Sequence, residues 1–423
     1  MRLIVLDPGH FHATLLQKDM YPELASRVSV YSPLGAELLD YLNRITLFNS
    51  RPDNPTHWDL DIHCTQRSLD EMLNDRSGDA RAGDVVVFTG RNRGRIDRML
   101  PVISAGLHVL ADKPWIISSS DMPKLEQALD LAERKHVAAY DIMTERYEVT
   151  SELQRELVNT REVFGEPVKG DARNPGVTAK SIHHLMKVVA GVPLRRPSWF
   201  FDIAEYGEGL ADVGTHVVDL VQWTLVPDQT FDYRKEVQVV EGRRWPLTLS
   251  KEQFRMVTGE AHDGNLEYYC NNSVHYTLRG IHVKMDILWN WEAPAGSGDV
   301  YEAAFRGTRA SAEIRQGAQE KFIPEVYIVP AADERTAVFA ALKKKVDELQ
   351  ARWPGLAIQQ SDQEAHLLVP GEFRVGHEAH FAQVARRFFD YAKHPESLPA
   401  WERSYMLAKY YVSTRGVELA QNK

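Results

Sequence analysis

The 423-residue chain predicts an α/β domain followed by an α+β domain. Two observations carry most of this. Up to about residue 140, short apolar runs alternate with amphipathic segments of helical period. From about residue 150 the runs lengthen and alternate with period two, and the chain then closes in helical segments. Short buried strands separated by helices indicate a parallel, doubly wound sheet. Period-two alternation suits an open, mainly antiparallel sheet with one covered face.

In order, Leu3–Leu6 reads as a strand and Phe11–Lys18 as a helix. Val28–Tyr31 is the next strand and Gly35–Arg44 the next helix. Asn49–Arg81 is a polar, irregular insert with room for a hairpin or helix. Asp84–Phe88 is a strand, Ile96–Ala105 a helix, Leu107–Leu110 a strand, Asp121–Lys135 a helix and Val137–Tyr140 a strand. A helix at Ser151–Asn159 opens the second part. Strands are predicted at Phe231–Glu241, Asn265–Asn271, Ser273–Arg279, His282–Trp291, Tyr301–Arg306, Ser311–Gln316 and Glu325–Pro330. Helices are predicted at Asp333–Arg352, His377–Lys393 and Trp401–Gln421. In Trp289-Asn290-Trp291 alternation sends both tryptophans to one face, read first as core or subunit interface. The domain boundary is placed at 145/146.

Composition narrows the function classes. The chain is 43% hydrophobic and 26% charged, the balance of an ordinary globular protein. A net charge of −9 argues against a sequence-independent grip on nucleic acid. Cys64 and Cys270 are the only two cysteines, giving neither a disulfide framework nor a metal-ligand spacing, which suits a reducing cytoplasm. The N-terminus runs straight into RLIVL without signal-peptide architecture, and no apolar run approaches the roughly 20 residues of a membrane helix.

The segment Gly207–Trp223, GEGLADVGTHVVDLVQW, concentrates chemistry. On a helix, Asp212 and His216 stack on one face. The competing reading is an aspartate that caps the helix and a histidine satisfied in the core. Glycines 207, 209 and 214 leave space for close approach of a ligand or another backbone.

Three segments in order resemble one family. Ala105–Pro114, AGLHVLADKP, is similar to the AL-x-GKHVLCEKP segment of the Gfo/Idh/MocA oxidoreductases. Gly207–Trp223 is similar to their GGGxLxDxGxHxxDLxxW segment, and Thr89–Asn92, TGRN, takes the place of their TPN turn. The resemblance covers most of the chain, weakening in the inserts and after about residue 225. It implies a Rossmann dinucleotide-binding domain over 1–145 and a substrate-binding and oligomerisation domain over 146–423. It also implies NAD as cofactor, with NADP as the alternative. Lys113 matches the lysine that orients and polarises the substrate hydroxyl. Asp212 and His216 match the acid/base pair, and Pro114 a proline associated with a cis bond. Gly9, His10, Phe11, Ser32, Thr89, Gly90, Asn92, Asp112 and Lys113 are the expected cofactor contacts.

These residue types suit the chemistry independently. Oxidising a secondary alcohol needs a base for the hydroxyl proton, and imidazole titrates near neutrality. A lysine cation stabilises the developing alkoxide.

The first turn departs from the family. Strand one runs into Asp7-Pro8-Gly9-His10-Phe11-His12, with a glycine only at the middle position of the usual G-x-G-x-x-G. Asp7 would either turn away from a diphosphate or cap the following helix. His10 and His12 face phosphates, line the substrate side, or simply pack. After strand two, Tyr31-Ser32-Pro33 supplies neither the acid typical for NAD nor an arginine for a 2′-phosphate. NAD is preferred because no basic residue compensates for a phosphate.

Glu145 and Arg146 are further substrate candidates, with an ion pair as the competing reading. So are His183, His184 and Lys187, where neighbouring histidines on a helix would point apart. The run Arg195–Asp202 adds cations and aromatics before the central motif. No ligand set has the arrangement of a known metal motif, so no metal is expected. The expected activity is NAD(P)-dependent oxidation of a hydroxyl on a sugar, sugar acid or cyclitol, in a cytoplasmic homodimer or homotetramer associating through the C-terminal sheet. Two alternatives stay open. One is a redox-neutral glycoside hydrolase or lyase working through a transient keto-sugar, the other a non-catalytic binding or regulatory homologue.

Overall fold

The computed structural model describes residues 1–77, 80–81, 83–189 and 192–422. The chain forms two compact units. One comprises Met1–Thr144, Arg195–Gly207 and His377–Arg403; the other comprises Glu145–Leu194, Glu208–Gly376 and Ser404–Lys423.

The first unit is built on six parallel strands: β1 (Leu3–Leu6), β2 (Arg27–Ser32), β3 (Asp59–Cys64), β4 (Val85–Phe88), β5 (His108–Ala111) and β6 (Ala139–Asp141), in the order β3-β2-β1-β4-β5-β6. This order reverses at β1, the switch point at which such sheets bind ligands beyond their strand ends. The predicted strands fall on β1, β2, β4, β5 and β6. Every residue of β1 and β4 is buried, as a sheet covered on both faces requires. The first unit's helices include α1 (His12–Leu16), α2 (Ala36–Ser50), α3 (Ser68–Asn74), α4 (Arg95–Ser104), α5 (Met122–Lys135) and, from late in the chain, His377–Lys393. The irregular insert holds β3, α3 and a short hairpin pairing Arg76–Ser77 with Ala80–Arg81; residues 78–79 lie outside the described residues. Edge strand β3 has only exposed and half-buried residues, in no strict alternation, and a sparse apolar pattern of this kind hides a strand from periodicity.

The second unit carries a nine-stranded sheet: β7 (Val177–Met186), β8 (Val237–Leu249), β9 (Leu266–Leu278), β10 (Ile281–Glu292), β11 (Val300–Arg306), β12 (Ala310–Arg315), β13 (Glu325–Pro330), β14 (Ala357–Gln360) and β15 (Ala365–Leu368). Their order is β8-β9-β10-β7-β11-β12-β13-β15-β14. All neighbours are antiparallel except β10 and β7. Helices α6 (Val149–Val158) and α7 (Gly214–Leu225) belong to this unit. On β10, Met285, Ile287 and Trp289 point into the core, while Lys284 and Asp286 face outward with Thr178, Lys180, Glu302, Glu313 and Arg315 along a charged groove.

Several elements differ from expectation. Lys180–Lys187, to which the sequence assigned no strand, lies mostly on β7, whose buried alternate residues (Val177, Ala179, Ser181) follow period two. Phe231–Glu241 divides into a short helical turn, Tyr233–Glu236, capped by the Asp232 side chain, and then β8. Asn265–Asn271 and Ser273–Arg279 fuse into β9, since the buried Asn272 uses its side chain in hydrogen bonds instead of breaking the strand.

Two close backbone approaches fix the functional segment of the second unit. A Cβ on Gly209 would lie 1.9 Å from the Cys270 carbonyl oxygen and 3.3 Å from Trp289 Nε1. A Cβ on Gly214 would lie 2.8 Å from Leu210 Cδ1. The turn before α7 is thereby laid against β9 and β10. Gly209→Ala is expected to cost about 2–4 kcal/mol, the scale of core overpacking with backbone displacement. Gly298→Ala, where an added Cβ has open space, should stay within about 0.5 kcal/mol. Paired denaturant melts check the contrast; equal midpoints would refute the packing argument.

Candidate active site

In the first unit the candidate residues gather at the carboxyl ends of the parallel strands. Asp7 follows β1 with φ 46°, in the left-handed region that aspartate tolerates. Its carboxylate accepts from Ser68 Oγ at 3.0 Å and from the Arg98 guanidinium. It therefore turns away from the cradle. It does not cap α1, whose N-cap is Phe11 without a side-chain cap.

Gly9 is a packing glycine. A Cβ there would lie 2.8 Å from the Trp199 ring and 3.2 Å from Gly90 Cα. Gly90 is tight in turn, 2.7 Å from the Asp7 carbonyl oxygen to a built Cβ. Trp199 Nε1 donates to Glu37 Oε1 at 3.0 Å, in the first turn of α2. Glu37 was missed in the sequence, and Trp199 was read only as one aromatic of the Arg195–Asp202 run. The acid follows β2 by five positions instead of ending it, and the tryptophan comes from a segment far along the chain. Ser32 is buried, with Oγ donating to Pro33 O.

After β4, Thr89 Oγ1 is buried without a hydrogen-bond partner, and so is Asn92 Oδ1; Asn92 Nδ2 donates to Tyr206 O at 2.6 Å. Arg95 donates to the carbonyls of Gly90, Asp112 and Pro114, clamping both loops. Lys113 is buried, 7% exposed, and the Lys113–Pro114 bond is cis. Asp112 meets His10 Nδ1 at 2.8 Å and His12 Nδ1 at 2.9 Å. Burial would raise its carboxyl pKa, but His12 and His10 outweigh this and hold it well below the usual range. Burial and the neighbouring His12 push His10 down to about 3, so its imidazole is neutral at ordinary pH.

The second unit holds the Asp/His motif. Helix α7 begins at Gly214, so Asp212 lies in the turn before it and not on a shared helical face with His216. Val213 is the N-cap and no side chain caps the helix; the Asp212 carbonyl accepts from Thr215 Oγ1 at 2.6 Å. Both residues are buried. Glu208 anchors the turn: it accepts from Arg244 Nη1 at 2.5 Å, Asn272 Nδ2 at 2.9 Å and Gln421 Nε2 at 2.9 Å, while Asn272 Oδ1 accepts from Leu210 N. Glu208 and Asn272 were also missed, because their partners are remote in sequence.

Arg146 is occupied. Its guanidinium grips Asp219 in two bonds, 2.5 and 2.7 Å, and Lys409 Nζ adds a third contact at 3.3 Å. Burial opposes ionisation of Asp219, but the two cations prevail and lower its pKa. Glu145 opens the 3-10 turn Thr144–Tyr147 and is half-buried.

His183, His184 and Lys187 converge on one carboxylate that was not singled out. Asp299, just before β11, meets His183 Nδ1 at 2.9 Å, His184 Nδ1 at 3.2 Å and Lys187 Nζ at 2.8 Å. The expectation that neighbouring histidines diverge fails because Asp299 sits at the strand end, between the two sides. His183 shares the covered face with Trp289, ring centroids 5.2 Å apart. That face also receives the Gly209 turn.

Residues 153–421 match the family model described as "Putative oxidoreductase C terminal domain". A solved structure described as a "putative oxidoreductase" from Parabacteroides merdae is 38% identical, covers 100% of this chain and 97% of its own, and superposes with a TM-score of 0.95. The chain belongs to the Gfo/Idh/MocA oxidoreductase family. More distant likenesses share the fold. A levoglucosan dehydrogenase, solved with NADH and levoglucosan, is 13% identical with a TM-score of 0.62, covering 100% of this chain and 97% of its own. GenD2 from gentamicin A biosynthesis, solved with NAD, is 18% identical with a TM-score of 0.59, covering 100% and 94%. No curated protein matches the chain. Among the described residues no helix is long and apolar enough to cross a membrane.

As a family member the chain is an oxidoreductase, and the burial of its charged groups makes the Asp299 cluster testable. Burial raises the Asp299 pKa, but His183 and Lys187 more than reverse this and hold it well below the carboxylate range. A depressed folded-state pKa stabilises above the unfolded value of about 4 and loses that contribution as pH falls through the folded value. Asp299→Asn is expected to cost about 1–3 kcal/mol at neutral pH. The gap from wild type should persist down to about pH 4 and close below it. Melts across pH check this; a gap that vanishes by pH 6 would contradict it.

Proposed function

We propose that the protein is an NAD-dependent oxidoreductase acting on a hydroxyl of a sugar, sugar acid or cyclitol. The observation that carries the reading is the buried Lys113 before cis-Pro114 at the end of β5, in a chain of this oxidoreductase family. Thr89 follows β4, the strand paired with β5, and has a buried hydroxyl that lacks a partner. Thr89 Oγ1 and Asn92 Oδ1 are orphaned polar atoms that a hydroxyl-rich dinucleotide would satisfy, so these residues fit the group. The Thr89–Asn92 turn, Asp112 and Lys113 would hold it, with Gly9, His10 and Phe11 in the first turn and Ser32 at the end of β2. When bound, the nicotinamide ring accepts a hydride.

The chain's own residues do the remaining work. The Lys113 ammonium orients the substrate oxygen and stabilises negative charge as it develops. His216 takes the hydroxyl proton on an imidazole nitrogen. Asp212 holds the imidazole and a neighbouring substrate hydroxyl. Neutral imidazole is the competent form in the direction of oxidation. Solved relatives of the same fold, one with NADH and levoglucosan and one with NAD, support the choice of cofactor and substrate class. Self-association through the open face of the second sheet stays part of the proposal, checked by the mass in solution.

Purified protein with NAD and a panel of sugars, sugar acids and cyclitols should produce reduced nicotinamide. His216→Ala should lower kcat roughly 10²–10⁴-fold without changing the melting temperature or dinucleotide binding. Full activity in that variant would remove His216 from its role. Product formation without net reduced nicotinamide would replace net oxidation by a redox-neutral cycle.

Glu37 bears on cofactor choice. Its carboxylate accepts from Trp199 Nε1, whose ring packs on Gly9 of the first turn, and an acid in this place would accept from ribose hydroxyls and repel a 2′-phosphate. NAD should bind at least about tenfold more tightly than NADP, about 1.4 kcal/mol. Glu37→Gln should narrow the ratio; titration with both dinucleotides measures it.

A further inference from the structure

The turn between β1 and α1 presents two imidazoles to one carboxylate. His10 and His12 stand edge to face, ring centroids 4.2 Å apart at 74°. Both use Nδ1 toward Asp112, which arrives 102 residues after His10 at the end of β5. One ligand atom from each of the three residues lies within 4.8 Å of the others. A tetrahedral ion with bonds of about 2.0–2.2 Å needs little movement to draw them together.

The contact of His12 singles this cluster out from an ordinary hydrogen-bonded trio. His12 is 4% exposed. Its Nδ1 sits 2.9 Å from Asp112 Oδ1, yet it has no hydrogen-bond partner, because the geometry is wrong for one. Its other nitrogen, Nε2, is 3.4 Å from His377 Nε2. If His12 donates there, its Nδ1 carries a bare lone pair facing a carboxylate oxygen. Two acceptors opposed in a buried site are costly. A cation between them removes the conflict.

The surroundings hold the donors in place. Asp112 Oδ1 also accepts from Lys113 N at 2.8 Å, and Arg95 fixes the carbonyls of both neighbouring loops. His377, touching the far nitrogen of His12, occupies the place of the outer partner that sets the tautomer of a metal-bound histidine.

We propose that His10, His12 and Asp112 form a site for a divalent transition metal of zinc type, with at least one coordination position left to water or to an oxygen of a bound ligand. Two imidazoles and one carboxylate suit zinc, cobalt or nickel in preference to magnesium or calcium. The proposal uses no dinucleotide and stands or falls apart from the assigned activity.

The test uses the full-length protein, stripped with chelator and free of dinucleotide. Cobalt(II) serves as probe, because its visible absorption reports nitrogen and oxygen coordination. Wild type should bind one equivalent with the intense bands of a four- or five-coordinate ion, and zinc should displace them. Asp112→Asn, nearly the same shape, and His10→Ala should each weaken binding at least roughly 100-fold while retaining wild-type circular dichroism. His394→Ala, an exposed histidine elsewhere, should bind as wild type does. Weak, six-coordinate cobalt spectra in wild type would overturn the proposal even if both variants failed to fold. Binding unchanged in folded Asp112→Asn would overturn it equally.

Discussion

The pair between Arg146 and Asp219 sets the geometry of the second unit's reactive segment. Asp219 lies on α7 one turn after His216, and both of its oxygens are gripped by the Arg146 guanidinium, with Lys409 alongside. All three groups are buried. A planar guanidinium bound in two places fixes the direction as well as the distance of its partner. The rotation of α7 about its axis is therefore set, and with it the direction of the His216 side chain. Breaking such a pair leaves an uncompensated buried charge, at about 3–5 kcal/mol.

The same device recurs wherever a loop bears chemistry. Glu208 anchors the turn ahead of α7 through Arg244, Asn272 and Gln421. Asp299 gathers His183, His184 and Lys187 at the end of β7. Asp112 gathers His10 and His12 at the end of β5. Asp299 and Asp112 are held below the usual carboxylate range by the groups around them, and each of the three carboxylates joins chain segments far apart in sequence. Side chains that read as isolated reactive groups are thus largely committed to one another. Arg146, His183, His184 and Lys187, singled out as substrate contacts, all have carboxylate partners of this kind.

The strands of the first sheet were legible because they are buried on both faces and read as short apolar runs between helices, as in RLIVL and DVVVF. The edge strand β3 was not, since half-exposed residues such as Asp59 and Asp61 carry no apolar signal. On β7 the sequence KSIHHLMK carried no strand signal because of its polar residues. Its register beside Trp289 and Ile182 beside Val300 depends on neighbours that local periodicity does not contain. Lys113, Asp212 and His216 were found through short motifs. Glu37 and Asp299 were not, because neither stands at a motif position, and Glu208, inside the Gly207–Trp223 segment, was not singled out because its partners are remote in sequence.

The sequence by itself determined the alternation that builds the two sheets, the family, and the residue types available for acid/base chemistry. Those follow from local periodicity and from contiguous motifs. Only the tertiary structure decided that Asp7 turns toward Arg98, that Gly9 serves Trp199, and that Asp112 and Asp299 each collect two histidines. The reason is physical: a buried carboxylate takes whichever donors the fold brings within about 3 Å, and those donors are set by strand order and register, not by neighbours in the chain.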